Sequence, residues 1–171
     1  MEAETFDSTI SLINDFAKAS VILKKVNKVI NCNLKARAAE YEEHYSELLQ
    51  DKAIASDIVN QDSLRMLIGR LHDRLFAALK SLSSEDRVRV YETVCSYVDD
   101  HENRLAIIQS EISTSCEELK ELNKEDTLQR ETLINKISSF SNAKEETKYY
   151  FETFLALKHY IGGLTKASRM K

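Results

Sequence analysis

Few residues in this chain could do chemistry: four histidines and three cysteines stand among 28 acids and 24 bases. A carboxylate-bridged metal centre in a helical bundle needs a glutamate three residues before a histidine on each of two helices. The residues three before His44, His72, His101 and His159 are Tyr41, Gly69, Val98 and Ala156, so such a centre lacks its ligands. Glu40, Glu43, His44 and Glu47 gather within two helical turns, but a solvated acidic face accounts for them as well as a metal would. Asp99 and Asp100, followed by His101 and Glu102, pair carboxylates as a magnesium site on a diphosphate does. The second pair that this chemistry requires is missing. Cys32, Cys95 and Cys116 have no C-x-x-C spacing and no histidine at helical spacing. They fit thiols kept reduced inside helices, in the cytoplasm or nucleus, better than nucleophiles or a disulfide framework. No catalytic, cofactor-binding or metal-binding residue is expected, and the chain reads as a non-enzyme.

The elements that would position any site are written in the composition. The 171 residues contain no proline and three glycines, where average usage gives about a dozen glycines and eight or nine prolines. Hairpins, tight turns and phosphate loops draw on those residues. A dinucleotide fold or P-loop needs several glycines at fixed spacing, which Gly69, Gly162 and Gly163 cannot supply. The fold class expected is all-α: an elongated helical bundle, one domain over residues 1–171, with a long antiparallel coiled-coil-like hairpin. No uncharged apolar stretch approaches the ~20 residues that cross a bilayer. The start Met-Glu-Ala-Glu lacks the basic and apolar regions of a signal peptide.

Helix boundaries follow from apolar spacing. Leu12, Phe16, Ala19, Leu23, Val26, Ile30, Leu34, Ala38, Tyr41, Tyr45 and Leu48 keep the period of a straight helix, predicting a first helix over about 7–52 with Asp7 or Ser8 as N-cap. Asp62 or Ser63 would cap a second over 63–82, with Leu64, Leu67, Leu71, Leu75, Ala78 or Leu79, and Leu82 as its stripe. Ser83 and Ser84, ahead of Glu85 and Asp86, open a third over 85–122. There Tyr91, Val94, Val98, His101, Leu105, Ile108, Ile112, Ser115, Leu119 and Leu122 alternate by three and four without a fault, the heptad of a coiled coil or bundle seam. His101 is read as a polar seam residue that fixes register. Asp126 with Gln129 suggests a capping box for a fourth helix over 127–161, whose stripe goes slack through Ser141 to Lys148, with a break expected near Ser138 to Asn142. Gly162-Gly163 would form a left-handed C-cap, leaving a basic tail over 164–171.

Charge is uneven along this pattern. Between Phe16 and Ala39 lie six bases and no acid, and Lys18, Lys25, Lys28 and Lys35 share one helical face. Residues 99–131 hold ten acids against four bases. An internal match of basic and acidic helices, or plain solvation, explains this. A basic surface for an acidic partner or an anionic membrane is the sharper alternative. Net charge of -4 and the absence of interleaved aromatics disfavour nucleic acid.

The function expected is therefore a protein–protein interaction module, an adaptor, scaffold or assembly subunit, that meets another protein or itself through helix-on-helix contacts. Its candidate contact residues are Leu105, Ile108, Ile112, Leu119 and Leu122 on the third seam, with Tyr149 and Tyr160 as exposed tyrosines. The alternative is a membrane-surface module using the basic face of the first helix.

Overall fold

The computed structural model describes residues 5–38 and 52–169, with side chains for 5–32 and 60–165. Among the described residues the elements are helices: α1 (Phe6–Ala38), α2 (Lys52–Ser81), α3 (Ser84–Glu121) and α4 (Thr127–Arg169). The chain divides into two compact units, Met1–Val90 and Tyr91–Lys171.

In the first unit α1 starts at Phe6, and its N-cap lies two or three residues before the ones its spacing suggested. Thr5, not Asp7 or Ser8, is the N-cap: its Oγ1 accepts from the Ser8 amide at 3.1 Å, and the Ser8 hydroxyl accepts from the Thr5 amide at 2.9 Å. This reciprocal pair satisfies donors that a helix start leaves unpaired. α1 and α2 run antiparallel, because Phe16 meets His72 (ring centroids 6.2 Å apart) while Asn27 lies against Gln61. Leu12, Ile13, Ala17, Val21 and Ile30 of α1 are buried, as are Leu71, Leu75, Ala78 and Leu79 of α2, with Leu82 and Val90 closing the end.

α2 is longer than its capping residues implied. It begins by Lys52, so Asp62 and Ser63 lie inside it and cap nothing; both face solvent. Gln61 continues the inward stripe upstream by hydrogen bonding Asn27, a polar continuation that hydrophobic spacing does not register. Ile68, half-buried, holds the place expected of Leu67, which is exposed. The expected extension of the first helix across 39–51 lies outside the described residues.

α3 opens at Ser83, as its serines and acids predict. The Asp86 amide donates to the Ser83 hydroxyl at 3.2 Å and the Arg87 amide to the Ser83 carbonyl at 3.0 Å. In the second unit α3 and α4 form an antiparallel hairpin. Pairs across it lie nearly equidistant from the turn: Gly162 against Tyr91, Phe154 against Tyr97, Tyr150 against His101, Lys144 against Gln109 and Arg130 against Leu122. The turn is closed by the Asp126 and Thr127 amides donating to Asn123 and Glu125, and the Asp126 carbonyl accepts from the Arg130 amide as the first bond of α4.

α4 departs from expectation twice. It does not break near Ser138 to Asn142 but runs unbroken. The apparent slack is a polar stretch of the seam in which Thr147, buried, donates its hydroxyl to the Ala143 carbonyl at 2.7 Å and Lys144 donates to Gln109 Oε1 at 2.5 Å. Gly162-Gly163 is not a C-cap: neither has positive φ, and the helix continues to Arg169 through most of the expected tail. A β-carbon on Gly162 would stand 3.1 Å from Tyr91 Cε2, so this glycine serves close packing, not a left-handed turn.

Candidate interaction surface

Seven-residue spacing puts one row of α3 against α4, and that row holds most of the sequence candidates. Ile108 is buried; Leu105, Ile112, Leu119 and Leu122 are half-buried. The hairpin partner supplies much of the cover that another chain was expected to provide. Ser115, in the same row, is 1% exposed.

At the other end of this row the seam is aromatic. His101 packs against Phe154 at 5.2 Å and Tyr150 at 5.8 Å between ring centroids, and Tyr97 packs on Phe154 at 5.1 Å. The His101 Nδ1 lies 2.7 Å from the Tyr97 carbonyl oxygen. A carbonyl can only accept, so this nitrogen carries the proton. The seam position assigned to His101 is the one it occupies.

The two tyrosines differ from the exposed groups expected. Tyr149 is half-buried and donates its hydroxyl to Glu145 Oε1 at 2.8 Å. Tyr160 is half-buried with its phenol oxygen enclosed, and burial raises its pKa above 10.0. Desolvation disfavours the phenolate. Helical spacing marks an aromatic as on or off a face but not which neighbour bends over it.

The apolar surface left facing water lies elsewhere. On the hairpin it comprises Ile107 at 64% exposure, Leu128 at 77% and Ile134 at 51%. Where two isoleucines are adjacent, as at Ile107-Ile108, only one can face the seam, and that adjacency is the signal which could have singled out Ile107. At the turn end of the hairpin, Leu122, just past the end of α3, and Leu128 and Leu133 of α4 line an open hollow of about 640 Å³. Glu118 and Glu121 stand on its α3 side and Gln129 and Thr132 complete the α4 side.

In the first unit, Lys18, Lys25 and Lys28 are exposed as expected of a basic face, and Cys32, one turn beyond Lys28, is exposed as well. Lys35 lies on α1 outside the residues whose side chains are described. Ile22 at 39% and Val29 at 54% exposure accompany these lysines, seven residues apart on one heptad row, beside the row of Lys18 and Lys25. α2 presents a comparable mixture in Met66 and Leu67 near Arg70.

For metal chemistry, Asp99, Asp100 and Glu102 are exposed on α3 while His101 turns into the aromatic seam. Among the described residues no three of His, Cys, Asp and Glu come together as ligands. Glu40, Glu43, His44 and Glu47 lie outside them. Nor is any described helix long and apolar enough to cross a membrane. Comparison with protein-family models, with curated proteins and with solved structures finds no match for this chain.

Proposed function

We propose that this chain is a non-enzymatic helix-recognition module, an adaptor or assembly subunit that binds a protein partner or a further copy of itself through helix-on-helix, coiled-coil-type contacts. The observation that carries this reading is the exposed apolar set on the hairpin, Ile107, Leu128 and Ile134. Covering such residues yields roughly 25 cal/mol for each Å² of apolar surface removed from water. The charges around them then choose partner and orientation. The seam row Leu105, Ile112 and Leu119 supports the reading more weakly, being half-covered.

Photo-crosslinking in the native cell tests it. A crosslinking residue at position 107 or 134 is expected to give discrete protein adducts, whereas one at Glu102, exposed on α3, gives none. Absence of adducts at both 107 and 134 rejects the reading.

A further inference from the structure

Two surfaces of this chain are complementary to one another. The hollow at the turn end of the α3–α4 hairpin is apolar through Leu122, Leu128 and Leu133, and its charged lining residues are both acidic, Glu118 and Glu121. The exposed face of α1 is apolar through Ile22 and Val29, and the neighbouring row is basic through Lys18 and Lys25. Ile22 and Val29 stand about 10 Å apart along the helix, at 1.5 Å per residue. The hollow, at about 640 Å³, has room for more than one aliphatic side chain.

We propose that this acid-rimmed hollow receives the lysine-flanked Ile22 and Val29 face of α1 from a second copy of the chain. The proposal rests on the helix-recognition reading and specifies its partner. In the contact, Ile22 and Val29 displace water from the three leucines, while Lys18 and Lys25 meet Glu118 and Glu121. Charge complementarity across such an edge sets register and speeds encounter. The two surfaces differ, so the contact is heterologous: one copy keeps its α1 face unused and the other its hollow, which propagates a chain or closes a ring. The contact is smaller than the ~800 Å² per partner of a standard stable interface, so association belongs in the micromolar range or weaker. An anionic membrane is the less favoured occupant of the α1 face. A membrane-surface helix buries a broad apolar face with aromatic anchors, and this one offers two aliphatic side chains.

Sedimentation velocity on the full chain tests the proposal, across about 10 to 500 µM protein and at low and high salt. Wild type is expected to associate reversibly at low salt and to dissociate at high salt. E118K/E121K and K18E/K25E are each expected to weaken association by about tenfold or more, with helicity and melting temperature kept. Mixing the two variants restores association, because each then supplies the charge that the other lacks. L128S weakens association in a manner that salt does not alter.

A wild type that stays monomeric throughout overturns the proposal, as does association indifferent to both charge reversals or not restored by mixing. Vesicles containing phosphatidylserine form the second arm: binding that K18E/K25E abolishes, with no self-association, gives the face to a membrane and also overturns it. The helix-recognition reading fails separately, by loss of adducts at 107 and 134. Adducts to another protein with a monomeric wild type leave that reading standing and this proposal refuted.

Discussion

At Gly162 the Tyr91 ring occupies the space a β-carbon would need, at 3.1 Å, whereas Gly69 and Gly163 have nothing within 4 Å of that position. All three are helical with ordinary φ. Alanine is worth about 1 kcal/mol over glycine in a helix interior. Gly69→Ala and Gly163→Ala are therefore expected to stabilise by up to about 1 kcal/mol. Gly162→Ala gains less or loses, since the ring must yield; urea unfolding of the three variants would order them, and equal gains would refute the packing role of Gly162. Tyr160 makes a second test. Burial raises its pKa above 10.0, so above the unfolded value the native state binds more protons than the unfolded one. Stability is then fully present below about pH 10 and falls as pH rises towards the folded pKa. Tyr160→Phe removes this contribution, and denaturant titrations at successive alkaline pH values are expected to show a shallower decline than in wild type.

Among the elements, α3 was the most legible in the sequence because three of its signals coincide: serines and acids at the start, an unbroken heptad, and polar residues at the turn. Its opening bond makes a direct prediction. Ser83→Ala removes the acceptor of the Asp86 amide and is expected to cost about 1 kcal/mol, read as a lowered urea midpoint with unchanged slope. Thr5→Ala tests α1 in the same way. The start of α2 and the middle of α4 were misread for one physical reason. Hydrophobic spacing sees only apolar members of a stripe, but Gln61, Lys144 and Thr147 continue their stripes through hydrogen bonds. A buried threonine whose hydroxyl donates to the carbonyl four residues back leaves no unsatisfied group, so it passes inside a seam without betraying itself. α1 was misread in width. Ile13, Ala17 and Val21 are as buried as Leu12 and Ala19, because the helix is covered over a broader arc than one stripe. Of the exposed apolar residues that carry the functional reading, Ile107 alone had a signal in the sequence, its adjacency to Ile108. Ile107, Leu128 and Ile134 differ from core residues only in facing outward, and that depends on which neighbour arrives.

For the molecule as a whole, the division between residues that hold the fold and residues that present a surface is the claim with the widest consequences. Leu75 is fully buried between α1 and α2, while Ile107 and Ile134 are 64% and 51% exposed. Truncating Leu75 to alanine removes buried methyl groups and leaves a cavity, for which about 2 to 5 kcal/mol is typical. In a chain of this size each kcal/mol moves the melting temperature by about 2 to 4 °C. Glutamate at position 107 or 134 buries no charge and opens no cavity, so stability should stay within about 0.5 kcal/mol of wild type. The expected pattern is thus a large drop in melting temperature for Leu75→Ala with partner adducts retained in the folded fraction, and an unmoved melting temperature for Ile107→Glu and Ile134→Glu with adducts lost. Thermal circular dichroism paired with crosslinking from a neighbouring exposed position measures both at once. If Ile107→Glu destabilised the chain as strongly as Leu75→Ala, that isoleucine would belong to the fold, and the surface assigned to recognition would lose its central residue.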